Sequence, residues 1–139
     1  MIHQASQQIY DTLKAKELKA FIQEERDASI VSASFPLDGG ASFQIRFLSL
    51  DEDNDVAVRT SSILRVKEHQ VKTILPVINR LNSQYRFAKF VLDDDLDVIV
   101  QYDLPLRGNN VGECALEMAV CFVKVIQQAY ADLMRTIWQ

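Results

Sequence analysis

The spacing of hydrophobic and polar positions switches between helical and strand-like along the chain, and each switch marks an element. Residues 2 to 18 carry Ile2, Ile9, Leu13 and Leu18 among charged and amide side chains, which predicts a first helix. From Ala28 to Leu37 the pattern alternates, with Val31, Ala33, Phe35 and Leu37 on one side and Ser32 and Ser34 on the other, as in a half-buried strand. Asp38-Gly39-Gly40 then supplies residues that tolerate the positive φ of a tight hairpin. Ser42 to Leu50 sets Phe43, Ile45 and Phe47 opposite Gln44 and Arg46, and Val56 to Ser62 puts Val56, Val58 and Thr60 on one face. The acidic run Asp51 to Asp55 between them reads as a turn.

From Lys67 to Tyr85 the helical period returns, with Val71, Ile74, Leu75, Ile78, Leu81 and Tyr85 on one stripe. Pro76 lies inside it, and a proline there costs about 3 kcal/mol, so a kink or restart is expected near Ile74. Phe87 to Leu92 and Leu96 to Leu104 flank Asp93-Asp94-Asp95 and read as a second hairpin. After Pro105 and the loop Arg107 to Asn109, Asn110 with Glu113 resembles a capping box that opens a long helix from Val111. The order α-β-β-β-α-β-β-α predicts a single α+β domain over residues 1–139. Its mostly antiparallel five-stranded sheet carries the helices, unlike a doubly wound nucleotide fold.

The final helix holds more apolar surface than one sheet needs. Glu113, Glu117, Lys124, Gln128 and Arg135 collapse onto a narrow stripe, which Gln127 and Asp132 widen slightly. Leu116, Ala119, Val123, Ile126, Tyr130 and Leu133 are placed to line the sheet, while Cys114, Met118, Phe122, Val125 and Ala129 form a second flank. The combined arc of roughly 200° exceeds the ~100° stripe that covers one sheet. Either the other helices cover the second flank, or Met118, Phe122, Val125 and Ala129 meet a second chain, a copy of this one or a client.

Composition narrows the classes of function. With 48% hydrophobic and 24% charged residues, four Gly and three Pro, collagen-like and disordered chains are excluded. A length of 139 residues suffices for one core without disulfides or a metal. A net charge of -4 leaves no basic footprint for nucleic acid. The start MIHQASQQIYD lacks the basic and apolar regions of a signal, and no uncharged apolar run of about 18 residues occurs, so a cytoplasmic protein without a membrane role is expected.

Candidate chemistry is thin. Gly39-Gly40 joins strand to strand and opens no helix, so it presents no phosphate loop. The acidic runs invite calcium, but the template's sixth and twelfth positions hold Val56 and Ser62 in one and Val98 and Leu104 in the other. They read as solvated turns. Cys114 and Cys121 stand about 10 Å apart along one helix, beyond a mutual disulfide, and read as small buried apolar residues. His3 and His69 lack metal-site spacing and read as surface or cap residues, and no nucleophile elbow or C-x-x-C is present. A non-enzymatic protein without metal or cofactor is expected. A small-ligand sensor with a pocket between sheet and helices is the alternative of another class.

The run Ile78 to Asp93 resembles the signature of the bacterial YbjN family, in which a helix ends in an N-x-L-N-like motif and a strand like Y-R-F-x-K-F-x-L-D enters an acidic turn. The matching residues are Asn79, Leu81, Asn82, Tyr85, Arg86, Phe87, Lys89, Phe90, Leu92 and Asp93. The resemblance implies a fold similar to type III secretion chaperones, which are small acidic cytoplasmic homodimers that hold an extended client segment on apolar surface. It also implies a regulatory task for which no reaction is suggested, or, more narrowly, a chaperone dedicated to one secreted effector. From the residues themselves, Asn82 is placed to close the second helix in the left-handed conformation. Phe87, Lys89 and Val91 share one side of the next strand, which reads as a rim or interface.

Overall fold

The computed structural model describes residues 1–51, 55–106 and 110–138. The elements run α1 (Gln4–Ala15), β1 (Ala20–Glu25), β2 (Ala28–Pro36), β3 (Ser42–Asp51), β4 (Asp55–Thr60), β5 (Leu64–Arg65), α2 (Val71–Gln84), β6 (Lys89–Leu92), β7 (Asp97–Pro105) and α3 (Val111–Ile137). The architecture is α+β with an antiparallel sheet. Among the described residues the sheet has seven strands rather than the expected five. The two additions are β1, whose sequence AFIQEE does not alternate, and β5, which is two residues long.

Strand pairing fixes the layout. Val98 of β7 pairs with both Leu64 and Leu92, and Gln101 pairs with both Arg59 and Lys89. A strand has two edges, so β4 and β5 share one edge of β7 and β6 takes the other. The sheet therefore ends in β1 on one side and β6 on the other. Between β4 and β5 the ladder is carried by a side chain: buried Thr60 accepts the Val100 N–H on Oγ1 at 2.9 Å.

The alternation read from sequence holds. Val31, Ala33, Phe43, Ile45, Phe47, Val56 and Val58 are buried on the face covered by all three helices. The opposite face is open, with Phe21, Ser32, Arg46, Arg59, Gln101 and Lys89 in one row across the strands. Gly39 and Gly40 adopt φ of 83° and 89°, as the hairpin requires. Pro76 breaks nothing: α2 runs from Val71 to Gln84, preceded by a 3₁₀ turn at Glu68–Gln70. Because the helix begins only at Val71, the proline falls near its start. The one bond it forfeits is to the carbonyl of Lys72, on a side chain-exposed stretch open to water. At the other long helix, Asn110 occupies the N-cap position without a side-chain cap bond, so the expected capping box does not form.

Two polar features fasten the sheet. Asp93 accepts the N–H groups of Asp95 and Asp97 at 3.0 and 2.9 Å, which makes the second acidic run a self-bonded turn. Of the first acidic run, Asp51 and Asp55 pair at the facing ends of β3 and β4, while 52–54 lie outside the described residues, as does the loop 107–109. Asp97 receives Ser62 Oγ at 2.8 Å and a bidentate Arg65 at 3.1 and 3.2 Å, pinning β5 to β7. The Arg65 hydrogen bond, and then Ser62, hold the Asp97 carboxyl below the ordinary carboxylate range. A lowered carboxylate stabilises the fold above its unfolded-state value and loses that contribution as pH falls through the folded-state value. The stability advantage over Asp97→Asn is therefore expected to be full at neutral pH and to shrink in acid, which urea unfolding at a series of pH values measures. Parallel pH curves for the two proteins would contradict it.

Candidate protein-contact site

The second flank of α3 is covered within the chain. Phe122 and Ala129 are fully buried and Met118 and Val125 nearly so, packed between the sheet and the neighbouring helices. The four residues singled out for a second chain thus belong to the core, because α1 and α2 both lie against α3. The outward stripe carries Glu113, Glu117 and Lys124, with Val120 47% exposed among them.

On either side of that stripe runs an apolar groove. The larger encloses about 580 Å³ and is lined by Phe87, Tyr102, Leu104, Pro105, Asn110, Cys114, Glu117, Met118 and Cys121. The smaller, about 290 Å³, lies between Leu18 and Phe35 on one wall and Leu116, Ala119 and Val123 on the other. The cysteines read as buried are instead half-exposed, free, and both on the wall of the larger groove. Seven residues of helix put them on the same face but too far apart for one disulfide.

Phe87 forms the other wall through an unusual backbone. Ala88 N–H donates to Arg86 O at 2.7 Å across it, and its φ is 67°, which is the rare, strained sense of γ-turn. The turn breaks the alternation that would have set Phe87 beside Lys89 and Val91. Its ring meets Tyr102 edge-on, with centroids 5.6 Å apart at 83°, and remains 47% exposed. Lys89 and Val91 do share the open face of the sheet, half-buried. No sequence signal foretold the turn, since Phe87 is neither Gly nor Asn.

The remaining motif residues hold α2 to β6. Leu81 and Phe90 are buried in the core, Tyr85 packs against it, and Asn79 is exposed. Asn82 stays helical instead of closing the helix in the left-handed conformation. Its side-chain amide donates to Phe90 O at 2.9 Å and accepts from Phe90 N–H at 2.7 Å, as a neighbouring strand would. The helix end is closed by Lys89, whose Nζ donates to the carbonyls of Asn82 and Tyr85 at 2.8 and 2.6 Å. Asn82→Ala removes both bonds to a part-buried backbone and is expected to cost about 2 kcal/mol, read as a lower urea midpoint at constant slope. A midpoint within experimental error of the parent would refute the clamp.

Of the two histidines, His3 is tied into the fold. His3 Nδ1 lies 2.8 Å from Ser49 Oγ, and the His3 backbone N–H donates to Ser29 Oγ at 3.1 Å, which in turn donates to Ser6 Oγ. Ser49 is fully buried. His69 is exposed in the 3₁₀ turn. Among the described residues no group of three or more His, Cys, Asp or Glu is placed to hold a metal ion. By length and composition α3 could cross a membrane, yet it packs along one side as a core helix of the fold.

Residues 5–133 match the YbjN family model, described as "Putative bacterial sensory transduction regulator". No curated protein and no solved structure matches the chain.

Proposed function

The chain belongs to the YbjN family, and on that premise we propose that it is a non-enzymatic intracellular regulator of chaperone type, a homodimer that binds an apolar segment of a protein client. The observation that carries the reading is Phe87. An L residue at positive φ costs about 1–2 kcal/mol, and here the strain is spent on holding a half-exposed aromatic ring over an apolar groove. The edge-on contact with Tyr102, worth about 0.5–1.5 kcal/mol, does no more than offset that strain. The groove is long on hydrocarbon and short on convergent polar groups, which suits an apolar peptide segment more than a substrate. The likeness to type III secretion chaperones, including the narrower case of one dedicated client, is supported by helices massed on one face of an antiparallel sheet. The groove volume of about 580 Å³ also admits a small apolar ligand, the second reading.

A photoreactive amino acid at Cys121, introduced in the host cell, tests both. The client reading expects a discrete protein adduct that is lost in Phe87→Gly and absent when the probe sits at exposed Lys72. A co-purifying small molecule in native mass spectra, with no protein adduct, would replace the client by a ligand. Phe87→Gly itself is expected to shift stability by less than about 1 kcal/mol, because relief of the turn offsets a lost ring contact worth about 0.5–1.5 kcal/mol. Thermal melting measures this, and a large loss of stability would mark Phe87 as a packing residue.

A further inference from the structure

The sheet has one free edge whose chemistry fits a copy of itself. β1 pairs with β2 on one side, and among the described residues no other backbone bonds its outer side. Phe21, 70% exposed, lies on the open face beside that edge. Glu25, the last residue of β1, lies on the same face, and carrying the alternation one residue back from Ala20 places Lys19 there too; both are exposed, and neither has an ion-pair partner among the described residues. Glu24, on the opposite face, is taken by the amino group of Met1.

We propose that two copies of the chain join by antiparallel pairing of their β1 strands, about a two-fold axis at Ile22, into one continuous sheet. The proposal rests on the homodimer in the reading above and is independent of the client groove. An axis perpendicular to the sheet keeps the helices of both copies on one side, and residues opposed across the junction must then point to the same face. That restricts the centre to a residue facing its own copy. Centred on Ile22, Lys19 of each copy opposes Glu25 of the other, and Phe21 opposes Gln23, so the two aromatic rings cover the junction diagonally. Centring on Phe21 would oppose Lys19 to uncharged Gln23 and leave Glu25 beyond the start of the partner strand, since Glu17 lies in the turn after α1 at a φ of 61°. Centring on Gln23 would oppose Lys19 to Asp27 but set Phe21 against Glu25. Charge complementarity selects Ile22.

A six-residue edge by itself buries less than the ~1,600 Å² of a standard interface, so the dimer is concentration-dependent. The experiment is absolute mass by light scattering across a wide concentration range at low ionic strength. The parent chain is expected to rise toward twice its monomer mass. Lys19→Glu and Glu25→Lys, each alone, bring like charges together twice and are expected to weaken dimerisation by about tenfold or more. An equimolar mixture of the two variants is expected to regain the parent affinity, since the reversed charges then face each other. Recovery in the mixture also shows that both variants fold. A dimer indifferent to either reversal, or a mixture that gains nothing, overturns the β1 junction and leaves the homodimer standing. A strict monomer at every concentration overturns both.

Discussion

Phe122→Asp is expected to give a chain without a cooperative thermal transition. Phe122 has no exposed surface and sits on the face of α3 pressed into the core. Truncating such a ring costs about 3–5 kcal/mol, and leaving an unpaired carboxylate in its place adds a further desolvation penalty. Together they approach the whole stability of an ordinary domain, about 5–15 kcal/mol. Val120→Asp, two residues earlier and 47% exposed, is expected to melt within about 0.5 kcal/mol of the parent. Circular dichroism on the pair reads the orientation of α3 directly. A folded Phe122→Asp protein would mean that the helix presents a different face to the sheet.

Gly112→Val is expected to leave a folded but clearly destabilised chain, for the opposite reason. α1 and α3 approach so closely there that a Cβ would overlap Thr12 Oγ1 and lie 2.8 Å from the Gln8 carbonyl oxygen. The Thr12 hydroxyl could swing aside only by giving up its 2.8 Å bond to that same carbonyl, and the backbone of α1 cannot move without lifting Ile9 and Leu13 from the core. Overpacking of this kind costs about 1–3 kcal/mol for a methyl or two, and the branched Val is placed at the upper end. Urea unfolding should show Thr12→Ala restoring part of the loss, because the carbonyl contact persists. Full rescue would mean that the hydroxyl alone sets the helix separation.

Much of this architecture was legible from period alone. Strands with one covered face, such as Ile45 and Phe47 against Gln44 and Arg46, announce themselves because burial imposes alternation on them. β1 did not, since an edge strand covered only near Ala20 and Ile22 has little reason to alternate. The surplus apolar arc of α3 was readable, but whether α1 and α2 or a second chain covers it is a fact of tertiary packing that one helix does not record. The same limit applies at the groove. Asn82 reads equally as a helix terminator or as a clamp eight residues away, and the turn at Phe87 defies the residue preference that would have flagged it.

Asn82 also sets how far assembly can go. Its amide fills the outward hydrogen-bonding positions of Phe90, so at that end of the sheet a further strand finds the template occupied. In the proposed pair joined through β1, every remaining terminus would be a plugged β6. Growth would then stop at a stoichiometry of two instead of running on into a fibre. An Asn82→Ala chain would thus have two growing ends where the parent has one, and its characteristic failure would be polymerisation.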